Sequence, residues 1–218
     1  HIACVLHLAA SANVPDSVVN PKEYYVNNLN GTLNLLNVMV DFKVSNIVFS
    51  STAAVYGDPI YTPIDETHPT LPINPYGWSK LFAEQMIKDY SWAYGVKYII
   101  FRYFCAAGAT VNNGESRSYE SHLIPLILDT VLQRRQKIAV YGNDYGTIDG
   151  TGVRDYIHVE DIADAHLLAL KEINNNYNYV LNLGSNSPYS VLQVISEVEQ
   201  KLRLKVNFVI DKPRPGDP

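Results

Sequence analysis

Two kinds of apolar pattern alternate along the chain: short apolar runs, and longer stretches in which apolar residues recur every three or four positions. Residues Val5–Ala9 are a run of the first kind and predict a strand, while Tyr24–Phe42 has helical spacing and predicts a helix. Because strand and helix patterns keep alternating, we predict an α/β protein with a doubly wound, parallel, Rossmann-like sheet. The further predicted strands are Ile47–Ser50, Lys97–Phe104, Lys137–Tyr141, Arg154–Val159, Tyr179–Leu183 and Lys205–Ile210, and the further predicted helices are Tyr76–Tyr94, His122–Arg135, Glu160–Ile173 and Ser190–Leu202.

The composition of the sequence changes after Gly108, where a polar segment rich in glycine and asparagine extends to residue 121. This change predicts two parts, residues 1–107 and residues 108–218. The second part is a smaller, interleaved C-terminal lobe with segments that return to the first. Ligands often bind in clefts between such parts, and we expect the same here.

The first residues, Ile2–Leu8, resemble the middle of a protein rather than its start. A nucleotide-binding half of this fold class normally begins with a strand and a glycine-rich turn that cradles a pyrophosphate. The sequence contains no such turn, so either the numbering begins inside a longer protein or the chain does not bind a dinucleotide. The tail, Pro213–Pro218, also ends abruptly.

Composition limits the classes of partner. The 218 residues are 47% hydrophobic with a formal net charge of −5 and no basic tract, so we expect a soluble protein that binds neither nucleic acid nor a membrane. The absence of a long apolar run and of a signal peptide favours the cytoplasm. Cys4 and Cys105 lack metal-ligand spacing and the histidines are scattered, so we expect free thiols and no metal site.

Candidate chemistry begins with Tyr76 and Lys80, which are four residues apart in a predicted helix and therefore share one of its faces. A phenol needs its pKa lowered by about three units, or about 4 kcal/mol, to act as a base near neutral pH. One ammonium about 6 Å away supplies about 2–3 kcal/mol at an effective dielectric constant near 20. The pair therefore predicts two further neighbours, a hydrogen-bond donor and a second positive charge.

A donor is available at the end of the preceding predicted strand, where Ser50, Ser51 and Thr52 follow an apolar run. Ligands of open α/β sheets bind at the carboxyl ends of strands. A tyrosine and a lysine at this spacing are common on exposed helix faces. The strand-end hydroxyls are what favour a site over an ordinary surface.

With these residues the chain resembles the extended short-chain dehydrogenase/reductase family, whose catalytic set is a serine or threonine and a Tyr-x-x-x-Lys pair. The resemblance implies that Thr52, Tyr76 and Lys80 carry the chemistry, and that the missing positive charge is the oxidised nicotinamide of NAD. The resemblance to the family rests on four stretches of the sequence: His7–Ser11, Tyr24–Thr32, Ser50–Gly57, and Asn143–Tyr145 with Asp149–Val159. The residues implied to contact NAD are Asn27, Ser50, Ser51, Tyr76, Lys80 and Tyr103.

The stretch Asp149–Val159 is similar to that of the family's enzymes that epimerise UDP-sugars at C4. Dehydratases of the family have acidic residues after the strand-end hydroxyl, but here Ala53 and Ala54 can neither give nor take a proton. A site with one acid–base tyrosine suits a reaction that removes a hydride and then returns it. The resemblance thus implies interconversion of UDP-glucose and UDP-galactose through a 4-keto intermediate, with NAD tightly bound.

The resemblance also implies a set of substrate contacts. Arg154 and Arg214 match pyrophosphate-binding arginines, and Tyr141 either stacks on the uracil or packs in the core. Cys105 and His122 depart from the family pattern, because asparagine is common at both positions. The residues expected to contact the UDP-sugar are Thr52, Cys105, His122, Leu123, Tyr141, Arg154 and Arg214.

Several alternatives stay open. The substrate of a C4 epimerase is alternatively UDP-N-acetylglucosamine, UDP-arabinose or UDP-glucuronate, and another candidate is a non-epimerising NAD(P)-dependent dehydrogenase. A non-catalytic NAD-sensing or scaffold protein on the same fold predicts loss of Tyr76 or Lys80, and both are present. Family members commonly form homodimers, and we expect one here, through the predicted helices Tyr24–Phe42 and Tyr76–Tyr94; the alternative is that the sheet covers those helix faces.

Overall fold

The computed structural model describes residues 2–117, 120–173, 175 and 178–216; the predicted limits at His1 and Pro218 lie outside these residues. The chain forms two units. Unit 1 contains the residues up to Phe104, Glu160–Leu183 and the residues from Pro215, and unit 2 contains Cys105–Val159 and Gly184–Arg214. The predicted division after residue 107 falls three residues beyond the first change of unit.

Strands and helices alternate along most of the chain. The strands are β1 (Val5–His7), β2 (Asn46–Thr52), β3 (Lys97–Tyr103), β4 (Cys105–Ala107), β5 (Ile138–Tyr141), β6 (Val153–His158), β7 (Tyr179–Leu183), β8 (Pro188–Ser190) and β9 (Phe208–Asp211). The α-helices are α1 (Val14–Val19), α2 (Pro21–Tyr24), α3 (Gly31–Asp41), α4 (Pro75–Tyr94), α5 (Leu123–Val131), α6 (Val159–Glu172) and α7 (Val191–Leu202). Within the described residues, no helix is both long and apolar enough to cross a membrane.

Unit 1 is built on a parallel sheet with the strand order β1-β2-β3-β7. Successive side chains of β2 point to opposite faces. Ile47 and Phe49 pack with α3 and α4, whereas Val48 packs with α6. The prediction of a doubly wound parallel α/β fold is therefore confirmed.

Unit 2 has its own core. In it α5 and α7 pack against β5, which pairs in parallel with the exposed strand β9. A second small sheet has the order β4-β6-β8, parallel between β4 and β6 and antiparallel between β6 and β8. The sequence did not predict β4 or β8, because each is only three residues long and the apolar residues of β4 continue the run of β3.

The predicted helix Tyr24–Phe42 is a continuous but irregular helix. It consists of α2, one π-helical segment at Tyr25–Asn30, and α3. Single π turns inside α-helices are frequent at functional sites. The short helix α1 was not predicted, although Asn13 caps it and Pro15 stands in its first turn.

The start of α4 determines where the candidate chemistry lies. The Asn74 side chain accepts a hydrogen bond from the Gly77 amide at 2.7 Å and caps the helix, and Pro75 is its first residue. A Cβ on Gly77 would lie 2.6 Å from the carbonyl oxygen of Ala54. Glycine at this position therefore lets the first turn of α4 approach the end of β2, which brings Tyr76 to Thr52.

Candidate active site

Thr52 and Tyr76 form the centre of the candidate site. Thr52 is the last residue of β2, and its Oγ1 accepts the amide proton of Ala54 at 3.1 Å. This leaves the hydroxyl proton of Thr52 for its hydrogen bond with the Tyr76 phenol. The hydroxyl thus lies where the predicted donor is needed.

The pKa of Tyr76 is raised above its usual value by burial, and the hydrogen bond with Thr52 offsets only part of that effect. The chain's own groups therefore do not produce the lowered pKa that a base requires at neutral pH. The sequence expected Lys80 to supply most of this lowering. In the structure the Thr52 hydrogen bond is what lowers this pKa, and the cost of burying a phenolate outweighs that bond, so a further positive charge is needed.

Lys80 lies one turn after Tyr76 and is only 3% exposed, with its ammonium 4.5 Å from the centre of the Phe49 ring. Burial lowers its pKa to about 8, while the charge of Glu84 acts in the opposite direction. Most Lys80 side chains are therefore charged at pH 7.

The Lys80 ammonium has neither a hydrogen bond nor an ion pair to any group in the described part of the chain. Every fully buried side-chain nitrogen or oxygen there has a hydrogen-bond partner, so the ammonium must be the small part of Lys80 that reaches the surface. An ammonium carries three donor protons. This position fits a ligand with hydroxyl oxygens.

His7 is a neighbour of Lys80 that sequence reasoning left without a role. Thr32 donates its proton to the Asn28 carbonyl at 2.6 Å, so its oxygen accepts from His7 Nε2 at 3.0 Å. Burial and, less strongly, the charge of Lys80 lower the pKa of His7 to about 4. The imidazole is therefore neutral at pH 7.

Ser50 and Tyr103 face α6, on the other side of the sheet from α4. The Ser50 hydroxyl lies 2.8 Å from Tyr103 Oη, which lies 2.9 Å from His166 Nε2. His166 Nδ1 faces the Ile162 carbonyl at 2.8 Å and must donate to it, so in the neutral imidazole Nε2 accepts from Tyr103 and Ser50 donates to Tyr103. Sequence reasoning gave His166 no role and missed this chain of hydrogen bonds.

Ser51 faces α4 and is 2% exposed, with its hydroxyl donating to Glu84 Oε1 at 2.5 Å. Glu84 also holds Arg102 of β3 through two hydrogen bonds, of 3.1 and 2.7 Å. The hydroxyl expected to contact a cofactor is thus bonded inside the protein. The sequence signal for this pair was an arginine within the apolar run of β3.

Asn27 is exposed, and its amide donates to Ser11 Oγ and to Asn28 Oδ1, each at 3.1 Å. The buried asparagine is the next residue. Asn28 donates to the Ser11 carbonyl at 2.9 Å and to Ser79 Oγ at 3.0 Å, and accepts from the Ser11 amide at 2.8 Å. It therefore links the π-helical segment to α4.

In unit 2, Cys105 is half-buried on β4, close enough to Tyr156 to help burial raise the pKa of that phenol to about 12. His122 is exposed before α5, with Nδ1 2.8 Å from Glu115 Oε1. The side chain of Leu123 packs against the core of unit 2. Glu115, Glu120 and His122 also bring potential metal-ligand atoms within 4.8 Å of one another, but as an exposed acidic cluster they do not define a site.

Tyr141 and Arg214 are in contact in unit 2. Tyr141 ends β5 and is 37% exposed, and the Arg214 guanidinium lies 4.6 Å from the centre of its ring. Arg154 lies on β6 and donates to the Val153 carbonyl at 2.8 Å. Each unit thus has its own part of the predicted residues, with the acid–base group in unit 1 and the two arginines in unit 2.

Comparison with known proteins gives consistent matches. The family model described as "NAD dependent epimerase/dehydratase family" matches residues 1–184. The curated UDP-glucose 4-epimerases of Halalkalibacterium halodurans and Streptococcus mutans are each 46% identical over 220 residues, covering 100% of this chain and 66% of their own length. The structure of UDP-glucose 4-epimerase from Bifidobacterium longum, solved with NAD+ and UDP, has a TM-score of 0.95 and 42% identity and covers 99% of this chain and 66% of that one. The chain spans about two thirds of the length of the curated relatives it matches.

Proposed function

The chain belongs to the NAD dependent epimerase/dehydratase family, and from that premise we propose that the whole protein interconverts UDP-glucose and UDP-galactose with NAD as a bound cofactor. The observation that carries the proposal is the hydrogen-bonded pair of Thr52 and Tyr76, with a charged, buried Lys80 one helical turn away. The relatives reported above bear the names of enzymes with this activity.

Tyr76 is the acid–base group. Its Oη takes the proton of the sugar 4-hydroxyl and later returns a proton to the same oxygen. Thr52 donates a hydrogen bond that favours the phenolate form of Tyr76. Ala53 and Ala54 follow Thr52 and hold no proton, so this strand end offers no carboxyl group for elimination of water.

The fit to NAD rests on Lys80. Its ammonium has donor protons for which the described residues offer no acceptor, and ribose hydroxyls would accept them. NAD supplies, when bound, the acceptor for the hydride that leaves and re-enters the sugar, and a positive charge on its oxidised ring. Lys80 and that charge together favour the Tyr76 phenolate, whose pKa the protein alone leaves raised.

Unit 2 supplies the groups for the UDP part of the substrate. Arg154 and Arg214 bind the diphosphate, because guanidinium groups match phosphate oxygens in charge and shape. Tyr141 offers an exposed aromatic face for the uracil, and in the structure the Arg214 guanidinium lies on that ring. Cys105, a weak donor, contributes less than asparagine would at the same place.

The test is an assay of the whole protein with UDP-galactose, with the NAD content measured before and after many turnovers. We expect UDP-glucose to accumulate to equilibrium while the bound NAD is neither consumed nor released. Stoichiometric reduction of NAD by an alcohol would show a dehydrogenase instead. Parallel assays with UDP-N-acetylglucosamine, UDP-arabinose and UDP-glucuronate determine which sugar is preferred.

The proposal includes a homodimer in the cytoplasm. Exposed apolar side chains on α3 and α4, among them Val38 and Phe82, suit contact with a second copy. Cys4 and Cys105 are free thiols, as is usual in a reducing compartment. Analytical ultracentrifugation should give a dimer that Phe82→Glu weakens, and a monomer at all concentrations would contradict this part of the proposal.

A further inference from the structure

Glu84 lies at the centre of a buried polar cluster behind the candidate site. Its carboxylate is fully buried, and it accepts two hydrogen bonds from the forked guanidinium of Arg102 and one from Ser51. The cluster extends to the other side of Arg102, whose Nη1 donates to Tyr56 Oη at 3.0 Å. Tyr56 in turn donates to the Asn182 side chain at 2.6 Å.

Three members of this cluster, Ser51, Glu84 and Arg102, lie close in sequence to residues of the proposed active site. Ser51 lies between Ser50 and Thr52 on β2, and Arg102 immediately precedes Tyr103 on β3. Glu84 lies one helical turn after Lys80 and two turns after Tyr76 on α4. One carboxylate therefore joins the three elements that carry Thr52, Tyr76 with Lys80, and Tyr103.

The cluster also determines the charges around Lys80. Burial works to lower the pKa of Arg102, but hydrogen bonds and the charge of Glu84 outweigh it, so Arg102 stays a cation. Lys88, partly exposed, lies 4.0 Å from Oε2 of the same carboxylate. The other titratable groups beside Lys80 are His7 on β1, which is neutral at pH 7, and Tyr76, so Glu84 is the only anion among the described groups that acts on it.

We propose that Glu84, held in place by Arg102, is a positioning residue that fixes α4 against the ends of β2 and β3 and keeps Lys80 charged during turnover. This inference rests on the proposed function of Lys80. The proposed role goes beyond that of a structural ion pair. The hydrogen bonds of Glu84 hold the elements together, whereas its charge also acts on Lys80. Glutamine in its place preserves the shape and removes that charge.

The pH dependence of turnover tests the charge. In Glu84→Gln the alkaline limb of the kcat profile should move to lower pH by about one unit, because Lys80 loses its neighbouring anion. Asp89→Asn, which removes an exposed carboxylate from the same helix, should leave the limb in place. If the alkaline limb of the kcat profile of Glu84→Gln lies at the same pH as in the wild type, the proposal is wrong.

The double variant Glu84→Gln/Arg102→Met separates this effect from stability. Glu84→Gln alone leaves a buried cation unpaired and lowers the Tm, whereas removal of both charges restores much of it. We expect the double variant to regain stability while its alkaline limb stays displaced. A wild-type pH profile in the double variant would show that the pair is only structural.

A readout independent of turnover keeps the two proposals apart. The titration of Lys80 can be followed by NMR with isotope-labelled lysine, with the resonance assigned by its loss in Lys80→Arg. If the protein does not epimerise UDP-sugars but Glu84→Gln lowers the midpoint of this titration, the proposed function fails and the link between Glu84 and Lys80 stands. If the enzyme is active and the midpoint does not move, the inference fails.

Discussion

Gly77 and Ala54 approach each other so closely that a Cβ on Gly77 would lie 2.6 Å from the Ala54 carbonyl oxygen. We expect Gly77→Ala to push the first turn of α4 away from β2 and to lower kcat by about 10- to 100-fold, since a displacement near 1 Å can cost that much. Steady-state kinetics with a Tm measurement would check this. Gly31→Ala is the matched control, because a Cβ on Gly31 meets nothing within 4 Å. Equal kcat in both variants would contradict the expectation.

Tyr76→Phe should retain the fold and lower kcat by about 100- to 10,000-fold, the range typical of a lost acid–base group. The ring stays to pack against Tyr24, whose centroid is 6.4 Å away, so little stability should be lost. The assay is the conversion of UDP-galactose. Tyr94→Phe removes an exposed hydroxyl from the same helix and should be as active as the wild type. If Tyr76→Phe kept most of the rate, another group would be the base.

Lys80 should give activity and stability opposite pH dependences. Its pKa is lowered from 10.5 to about 8 by burial, so turnover that needs the ammonium falls above pH 8. Between pH 8 and 10.5 the unfolded chain holds a proton that the folded chain does not, so this residue's contribution to stability rises with pH. The full effect is about 3 kcal/mol.

Thermal unfolding of wild type and Lys80→Met across this pH range would measure that rise. The methionine variant lacks the titrating group, so we expect the wild type to gain stability relative to it as the pH increases. A constant difference between the two proteins would mean that the Lys80 ammonium is not buried at a cost.

His7 should make the fold sensitive to acid. Burial lowers its pKa from 6.5 to about 4, so the unfolded chain binds a proton in this window that the folded chain does not. Stability is therefore lost as pH falls from 6.5 towards 4, by about 3 kcal/mol at most. His7→Gln keeps a donor for Thr32 and should flatten this loss in urea unfolding at pH 4 to 7. An equally steep loss in the variant would rule out His7 as the cause.

The fold was predictable from sequence because its evidence is local and repeated. Apolar runs such as Ile47–Ser50 and helical spacing such as Tyr24–Phe42 each bury one face, and their alternation admits few topologies. The short strands β4 and β8 and the helix α1 carry too few residues for periodicity to appear. Among these three elements only α1 has a sequence signal, its capping residue Asn13.

The candidate acid–base residues could be proposed from the sequence, because their spacing along the chain predicts that Tyr76 and Lys80 share one helix face. The hydrogen-bonded polar pairs near these residues could not be predicted, because each pair joins residues far apart in sequence: Ser51 with Glu84, and Tyr103 with His166. The amount by which burial raises the pKa of Tyr76 could not be predicted either. The spacing of residues along the chain indicates which charged group lies near the phenol. The cost of burying a phenolate depends instead on packing, which only the folded chain defines.

The three consecutive hydroxyls at the end of β2 serve three separate directions: Ser50 towards α6, Ser51 towards α4, and Thr52 towards Tyr76. These three residues are chemically similar, but each makes a different contact, so one cannot replace another. Shuffling serine and threonine among these positions would conserve composition, polarity and the strand itself. It would still place the extra methyl group of threonine at Ser50 or Ser51, both of which are buried. We therefore expect the residues at these three positions to vary less among natural sequences than the chemical similarity of serine and threonine suggests.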